Sequence, residues 1–185
     1  MVILASASPR RKKLMKEELF PSFTIIVPEI DESLSFKKFT DVRDIVRDIA
    51  TRKCLKVSND HPHDLVIAAD TVVVIGNNII GKPKDEKDAY RMLKMLSNNT
   101  HYVYTGYAIN KEGKLTSGIV KTEVTFNDLS DEMINDYIAS GSPMDKAGAY
   151  GLQDKDFQLV KEVIGSVENV IGFPTKEIKN DLDTL

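Results

Sequence analysis

A single carboxylate interrupts an otherwise apolar run in the middle of the chain. Asp70 lies between Leu65–Ala69 and Thr71–Ile75, where most neighbours are aliphatic. Burying a carboxylate is unfavourable unless it is paired, hydrogen-bonded or bound to a metal. Such carboxylates at strand ends often act as general bases or metal ligands. Asp70 is therefore a candidate general base or metal ligand. The alternative is an aspartate that caps a bend between two strands.

Two adjacent arginines follow the first predicted strand. An apolar strand over Val2–Ala5 leads through a small-residue turn into a helix that Pro9 can begin with Ser8 as its cap. The helix dipole favours an anion at this end and disfavours cations in the first turn. Arg10 and Arg11 therefore suggest a bound phosphate that offsets their charge. The alternative is an ordinary helix cap followed by a solvated basic turn.

Two lysines are further candidates. On a helix beginning at Val42, Lys53 falls at about 20°, inside an apolar stripe that spans roughly 60° to either side. It can reach a polar cleft from the core side, or it can snorkel to solvent. Lys82, in Gly81-Lys82-Pro83, returns positive charge near the Asp70 strand or is a surface turn lysine.

Two loops carry polar groups that could meet a ligand. Glu29, Asp31 and Glu32 form an acidic cluster whose hard oxygens suit a divalent cation, although a solvated loop explains it equally. The segment 145–153 combines two glycines with small residues and ends in Gln153. Such a loop lets the backbone approach a ligand, and the amide of Gln153 can both donate to and accept from a base edge.

Composition excludes several classes of protein. The 185 residues are 42% apolar and 29% charged, as in an ordinary globular protein. The net charge of −3 and the lack of aromatics within Arg10–Lys13 argue against a nucleic-acid partner. No apolar stretch approaches the ~20 residues of a membrane span, and Met1–Lys13 is not typical of a secretory signal. We therefore expect a cytoplasmic protein with no membrane partner. The single Cys54 excludes an internal disulfide.

Strand and helix patterns interleave along the chain, which favours an α/β class with a mixed sheet. Strands are predicted over 2–5, 23–27, 65–69, 72–75, 79–80, 101–110, 115–126 and 157–163, with a tight turn at Asn77-Asn78. Helices are predicted over 9–18, 42–57, 85–96, 131–139 and from Pro174 onward. Residues 28–40 are expected to be irregular.

Together these segments resemble the Maf family of nucleoside triphosphate pyrophosphatases. The matches run in family order over nearly the whole chain: Ser6 to Arg11, Glu32, Lys53, Ala69-Asp70-Thr71, Gly81-Lys82-Pro83, Asp145 to Gln153 and Gly172-Phe173-Pro174. The resemblance implies one domain over residues 1–185, with an elongated two-lobed α/β fold, a curved mixed sheet and a central cleft, similar to the inosine triphosphatase fold. It also implies that the chain can form a homodimer.

The resemblance implies hydrolysis of a nucleoside triphosphate to the monophosphate and pyrophosphate, assisted by Mg²⁺ or Mn²⁺. In that reaction Asp70 acts as general base or orients a metal-bound water. Lys53 and Lys82 add positive charge, and Glu32 with Asp70 holds the metal.

The resemblance also assigns substrate-binding roles. Ser6, Arg10 and Arg11 bind the phosphates, while Arg11, Thr71 and Gln153 set specificity. The loop ending in Gln153 is similar to that of the branch acting on dTTP, UTP and some modified pyrimidine triphosphates.

Two segments depart from the family pattern. Asp154-Lys155-Asp156 stands where relatives often carry glycine, and Gly165–Val170 lacks the aromatic residue that many relatives have. Two other functions stay open at this point. One is a nucleotide-binding regulator of septum formation with little hydrolysis, and the other is a pyrophosphatase acting on purine triphosphates such as ITP.

Overall fold

The computed structural model describes all 185 residues and shows helices alternating with the strands of one seven-stranded sheet. The strands are β1 Val2–Leu4, β2 Thr24–Ile25, β3 Leu65–Ile75, β4 Asn78–Ile80, β5 Thr100–Lys111, β6 Lys114–Phe126 and β7 Val160–Ile164. The helices are α1 Pro9–Leu14, α2 Ser33–Lys38, α3 Val42–Ser58, α4 Glu86–Leu96, α5 Asp131–Ala139, α6 Val167–Ile171 and α7 Thr175–Leu182. A π-helical turn, Met15–Leu19, extends α1.

The sheet contains both parallel and antiparallel pairs. Its strand order is β2-β1-β3-β5-β6-β7, with β4 also paired to β3. Strand β1 runs parallel to β2 and β3, whereas β4 is antiparallel to β3 and β7 is antiparallel to β6. The predicted α/β class with a mixed sheet is confirmed.

Internal contacts divide the chain into two compact units. Unit 1 comprises Met1–Asp70, Thr105–Val120 and Ile171–Leu185, and unit 2 comprises Thr71–Tyr104 and Lys121–Val170. Strands β3, β5 and β6 therefore each contribute residues to both units. None of the seven helices has both the length and the apolar character needed to cross a lipid bilayer.

Unit 1 buries both faces of its strands. Because side chains alternate along a strand, Ile3, Val66 and Ala68 belong to one apolar cluster, together with Cys54 of α3. Leu4, Ile67, Ala69 and others pack on the opposite side with Met15, Phe173 and Ile178. Helix α3 thus covers one face, while the turn after α1 and helix α7 cover the other.

Helix α3 approaches β5 closely at a glycine. A Cβ atom on Gly106 would lie 2.4 Å from the carbonyl oxygen of Val46, closer than any side chain allows. Only glycine fits this contact, which fixes the distance between α3 and the strands of unit 1.

Unit 2 has its own core, formed by one face of the sheet and helices α4 and α5. Its buried members include Val73, Val103 and Phe126 from the strands and Leu93 and Tyr137 from the helices. Ala149 and Tyr150 of the glycine-rich loop also belong to this cluster. The loop is therefore anchored in the core rather than lying free on the surface.

Several sequence expectations differ from the structure. The two strands expected on either side of Asp70 form one continuous strand, β3, so the alternative of a capping aspartate at a bend is wrong. The hairpin turn lies at Gly76-Asn77, one residue earlier than expected, and Gly76 supplies the positive φ of 54°. Residues 28–40, expected to be irregular, contain α2. The strand expected over 23–27 is limited to Thr24–Ile25, and the one expected over 157–163 begins at Val160.

Candidate active site

A lysine with two carboxylate partners forms the centre of the site in unit 1. The Nζ atom of Lys53 lies 2.7 Å from Oε1 of Glu32 and 2.9 Å from Oδ1 of Asp70. The side chains of Lys53 and Asp70 are only 13% and 12% exposed, whereas that of Glu32 is 49% exposed. A largely buried ammonium group therefore joins a buried carboxylate to an accessible one.

The position of Asp70 follows from the alternation of β3. Val66 and Ala68 face the cluster that contains Cys54 of α3, and Asp70 is the next residue in that series. Lys53 immediately precedes Cys54 on α3. The carboxylate of Asp70 therefore accepts a hydrogen bond from the ammonium group of Lys53 where the apolar contact between β3 and α3 ends. This ion pair explains how a carboxylate is tolerated inside an apolar strand.

Glu32 is brought to Lys53 by a tether from the neighbouring residue of α3. Arg52 donates from one guanidinium nitrogen to the backbone oxygen of Asp31 at 2.9 Å and from another to Oγ of Ser35 at 3.0 Å. Ser35 in turn donates to Oδ2 of Asp48 at 2.7 Å. The loop before α2 is therefore held against α3, and Glu32 with it.

Arg11 is fixed by partners from both ends of the chain. Its Nε–H group donates to the carbonyl oxygen of Gly172 at 2.8 Å, and a terminal nitrogen donates to Oγ of Ser6 at 3.4 Å. The Oγ of Ser6 also accepts from the backbone N–H of Ser8 at 3.1 Å. Ser8 caps α1 by accepting from the N–H of Arg11 at 3.4 Å. The turn after β1 thus helps to orient the arginine through a set of local hydrogen bonds.

Burial and the charged side chains near Arg11 shift its pKa in opposing directions. Burial lowers the pKa of Arg11 from its ordinary value, and the adjacent positive charge of Arg10 acts in the same direction. The negative charges of Asp70 and Glu32 raise it and so oppose these effects. Arg11 is therefore close enough to both carboxylates to belong to the same electrostatic site, and Arg10, half-buried, lies beside it.

The remaining predicted residues, Thr71, Lys82 and Gln153, belong to unit 2. Thr71 is half-buried and directly follows Asp70 in β3, while Lys82 is exposed between β4 and α4. The backbone N–H of Gly148 donates to the oxygen of Gly81 at 3.0 Å. The Lys82 segment is therefore joined to the glycine-rich loop that ends in the exposed Gln153.

The base of the glycine-rich loop is anchored by a buried polar pair. Nε2 of His101 lies 2.6 Å from the hydroxyl oxygen of Tyr150, and both rings make edge contacts with Phe126. Burial lowers the pKa of His101 to about 4, so the ring is neutral near pH 7. His101 and Tyr150 therefore act as packing and hydrogen-bonding groups that hold the loop.

The donor set suits a divalent cation only in part. No group of three His, Cys, Asp or Glu side chains in the chain can surround a metal ion. Glu32 and Asp70 nevertheless present hard carboxylate oxygens on either side of one ammonium group. Mg²⁺ commonly takes one or two protein carboxylates and completes its shell with substrate phosphates and water. The pair fits that kind of binding, with the substrate as a ligand.

Two groups that position the site gave no independent signal in the sequence. Arg52 is one of several charged residues on α3, and its tether to Asp31 depends on a loop whose path the pattern does not reveal. The carbonyl of Gly172 bonds to Arg11 from 161 residues away. The resemblance includes Gly172-Phe173-Pro174 but assigns the segment no role.

This arrangement can be compared with known proteins. A family model described as Maf-like protein matches residues 1–185. The chain belongs to the Maf family. Relatives in this family are similar to the chain over nearly its full length.

Three Maf relatives illustrate the likeness, each named dTTP/UTP pyrophosphatase. The protein of Geobacillus sp. (strain WCH70) is 45% identical over 184 residues, which cover 100% of this chain and 97% of the relative. The protein of Thermococcus onnurineus (strain NA1) is 46% identical over 174 residues, which cover 94% of this chain and 92% of the relative. The protein of Dictyoglomus turgidum (strain DSM 6724 / Z-1310) is 41% identical over 184 residues, which cover 98% of this chain and 94% of the relative.

Proposed function

We propose that this chain hydrolyses dTTP and UTP to the nucleoside monophosphate and pyrophosphate. The observation that carries the proposal is the contact of Lys53 with both Asp70 and Glu32, whose charges also act on the anchored Arg11. The names of the Maf relatives support the same substrates. The arrangement supplies what such a reaction requires: a carboxylate that can accept a proton and fixed positive charge for a polyphosphate.

Negative charge is the main obstacle to attack on a triphosphate, so positioning and neutralisation dominate catalysis. Arg11 can fork onto phosphate oxygens because its guanidinium is held at Nε by Gly172. Ser6 and Arg10 add a hydroxyl group and a second positive charge. Lys53 contributes charge beside the reacting group, and Lys82 contributes it from the segment joined to the glycine-rich loop.

Asp70 is the group proposed to move the proton. Water attacks the α-phosphorus, and the bond from that phosphorus to the oxygen bridging the β-phosphate breaks. Pyrophosphate leaves with the bonding electron pair, while Asp70 accepts the proton of the attacking water. Lys53 contacts Oδ1 of Asp70, so Oδ2 is the oxygen assigned to the water.

Glu32 and Asp70 would hold Mg²⁺ or Mn²⁺ together with the substrate. When bound, such an ion would neutralise phosphate charge and polarise the attacked group. Lys53 keeps the two carboxylates close to each other in the absence of substrate, since its single ammonium group contacts both. Base recognition is assigned to Thr71 and Gln153, with Arg11 contributing to specificity.

The test is pyrophosphate release from dTTP, UTP, GTP and ITP with Mg²⁺, using the wild type and Asp70→Asn. We expect the variant to fold and its turnover to fall about 100-fold or more, because a positioned general base contributes 10²- to 10⁴-fold. Asp60→Asn, a change of an exposed aspartate outside the site, is the matched control and should keep wild-type turnover.

Three outcomes would contradict either the proposed mechanism or the proposed substrates. Wild-type-like pyrophosphate release by a folded Asp70→Asn variant would remove Asp70 from the reaction. Faster turnover of ITP than of dTTP and UTP would favour the purine pyrophosphatase. Tight nucleotide binding without release of pyrophosphate would favour the regulator of septum formation.

A further inference from the structure

The buried side chain of Tyr137 forms hydrogen bonds to the glycine-rich loop on both sides of Gln153. The hydroxyl oxygen of Tyr137 accepts from the backbone N–H of Gly151 at 3.1 Å. The same hydroxyl group donates to Oδ2 of Asp154 at 2.5 Å. Tyr137 itself is fully buried, and its two hydrogen bonds lie in a partly buried region.

The segment between these two anchor points is a tight turn. The backbone N–H of Asp154 donates to the oxygen of Gly151 at 3.2 Å, which closes a four-residue turn around Leu152 and Gln153. A Cβ on Gly151 would lie 2.8 Å from Cε of Lys146 and 3.1 Å from Oε1 of Gln153. The side-chain amide of Gln153 therefore folds back over Gly151, and a larger residue at this position would displace Lys146 or Gln153.

Asp154 is tied to the preceding part of the loop as well. Its Oδ2 atom also accepts from Oγ of Ser142 at 2.7 Å. Ser142 in turn accepts from Nζ of Lys146 at its backbone oxygen, at 2.6 Å, and at Oγ, at 3.0 Å. One carboxylate oxygen thus joins α5, the start of the loop and its end.

The protonation state of the phenol keeps this arrangement constant. Burial raises the pKa of Tyr137 above its ordinary value, and the hydrogen bond to Asp154 acts in the same direction. Tyr137 therefore remains a donor to Asp154 throughout the neutral and moderately alkaline range.

We propose that Asp154 is a positioning residue for base recognition, acting through Tyr137 to hold Gln153 in one conformation. This inference rests on the proposed function, since it assumes that Gln153 reads the base. Asp154 does not touch the substrate in this account. It fixes the turn so that the amide of Gln153 is ordered before the nucleotide binds, which lowers the entropy lost on binding.

The test compares Asp154→Ala, Asp154→Asn and the control Asp156→Ala, which changes an exposed carboxylate two residues away. The readout is the ratio of kcat/KM for UTP to kcat/KM for ITP. A simple loss of folded enzyme lowers both values equally and leaves the ratio unchanged. We expect Asp154→Ala to lower the ratio roughly tenfold, as for loss of a hydrogen bond to a charged group.

The other variants should separate positioning from general damage. Asp154→Asn should retain most of the ratio because its amide oxygen can still accept from Tyr137, and Asp156→Ala should retain all of it. In a Gln153→Ala background, Asp154→Ala should cause no further fall. An unchanged ratio in Asp154→Ala, or an equal fall without Gln153, would overturn the inference.

Amide hydrogen exchange over residues 150–155 gives a readout that does not need turnover. We expect faster exchange in Asp154→Ala than in the wild type, and unchanged exchange would overturn the inference. A wild type that releases no pyrophosphate from any of the nucleotides would contradict the proposed function instead, and the exchange result would then decide whether Asp154 orders the turn.

Discussion

Lys53 shows how much one residue in an unexpected place can reveal. Its helical phase placed it within an apolar stripe, and the structure shows its ammonium group between Glu32 and Asp70. The phase of α3 is a local property that sequence periodicity captures. The resemblance implies a metal-binding role for Glu32, but no local pattern predicts its contact with Lys53, because that contact depends on the loop that Arg52 holds. Local pattern therefore predicted the lysine but not its second partner.

Arg11 offers a test of geometry rather than charge. Its Nε–H donates to Gly172 while a terminal nitrogen donates to Ser6. Lysine has a single nitrogen and cannot make both contacts while facing a phosphate. We expect Arg11→Lys to lower kcat/KM for dTTP about tenfold or more, mainly through KM.

The control for Arg11→Lys is Lys12→Arg, which makes the reverse exchange at the neighbouring exposed position. It should leave both kinetic constants and the melting temperature close to those of the wild type. If Arg11→Lys also kept a wild-type kcat/KM, the anchored guanidinium would have no part in binding substrate.

Strand β3 agrees with the sequence pattern in its apolar run but is longer than that pattern predicts. Its apolar run was identified from sequence, but Asp70 suggested an interruption because an unpaired carboxylate is unfavourable there. Lys53 satisfies that carboxylate, so the strand continues to Ile75. The sequence does not predict the role of Gly106. Only the path of α3 shows that the carbonyl oxygen of Val46 would lie 2.4 Å from a Cβ atom at that position. Long-range contacts of this kind have no local signature.

The core of unit 2 should make stability depend on pH through His101. Burial lowers the pKa of His101 from 6.5 to about 4, whereas the unfolded chain binds a proton near pH 6.5. The unfolded state therefore holds more protons between these values, and the free energy of unfolding falls as the pH falls through this window. At pH 5 the loss attributable to His101 should be about 2 kcal/mol.

Denaturant unfolding at pH 7 and pH 5 checks this expectation. Between these two pH values, His101→Gln should lose about 2 kcal/mol less free energy of unfolding than the wild type. The glutamine can still form a hydrogen bond with Tyr150 but does not titrate. His63→Gln, at an exposed histidine, should lose as much stability as the wild type. Parallel losses in the wild type and His101→Gln would show that His101 does not cause the acid sensitivity.

Removal of divalent metal ions should abolish activity without affecting the folding of the protein. The chain has no group of three side chains that could enclose an ion, and the two candidate carboxylates already share Lys53. Chelation with EDTA should therefore abolish pyrophosphate release while leaving the melting temperature of the nucleotide-free protein unchanged. Added Mg²⁺ should restore turnover. A marked fall in melting temperature on chelation would reveal a structural metal site and contradict this expectation.

The order in which the chain is made has a consequence for Arg11. Unit 1 is assembled from three separated segments, the last of which is Ile171–Leu185, and the carbonyl that anchors Arg11 lies 161 residues after it. During translation Arg11 leaves the ribosome long before Gly172 has been added. The arginine therefore gains this bond only when synthesis is nearly complete, and a polypeptide that ends before Gly172 lacks the carbonyl group that accepts from its Nε.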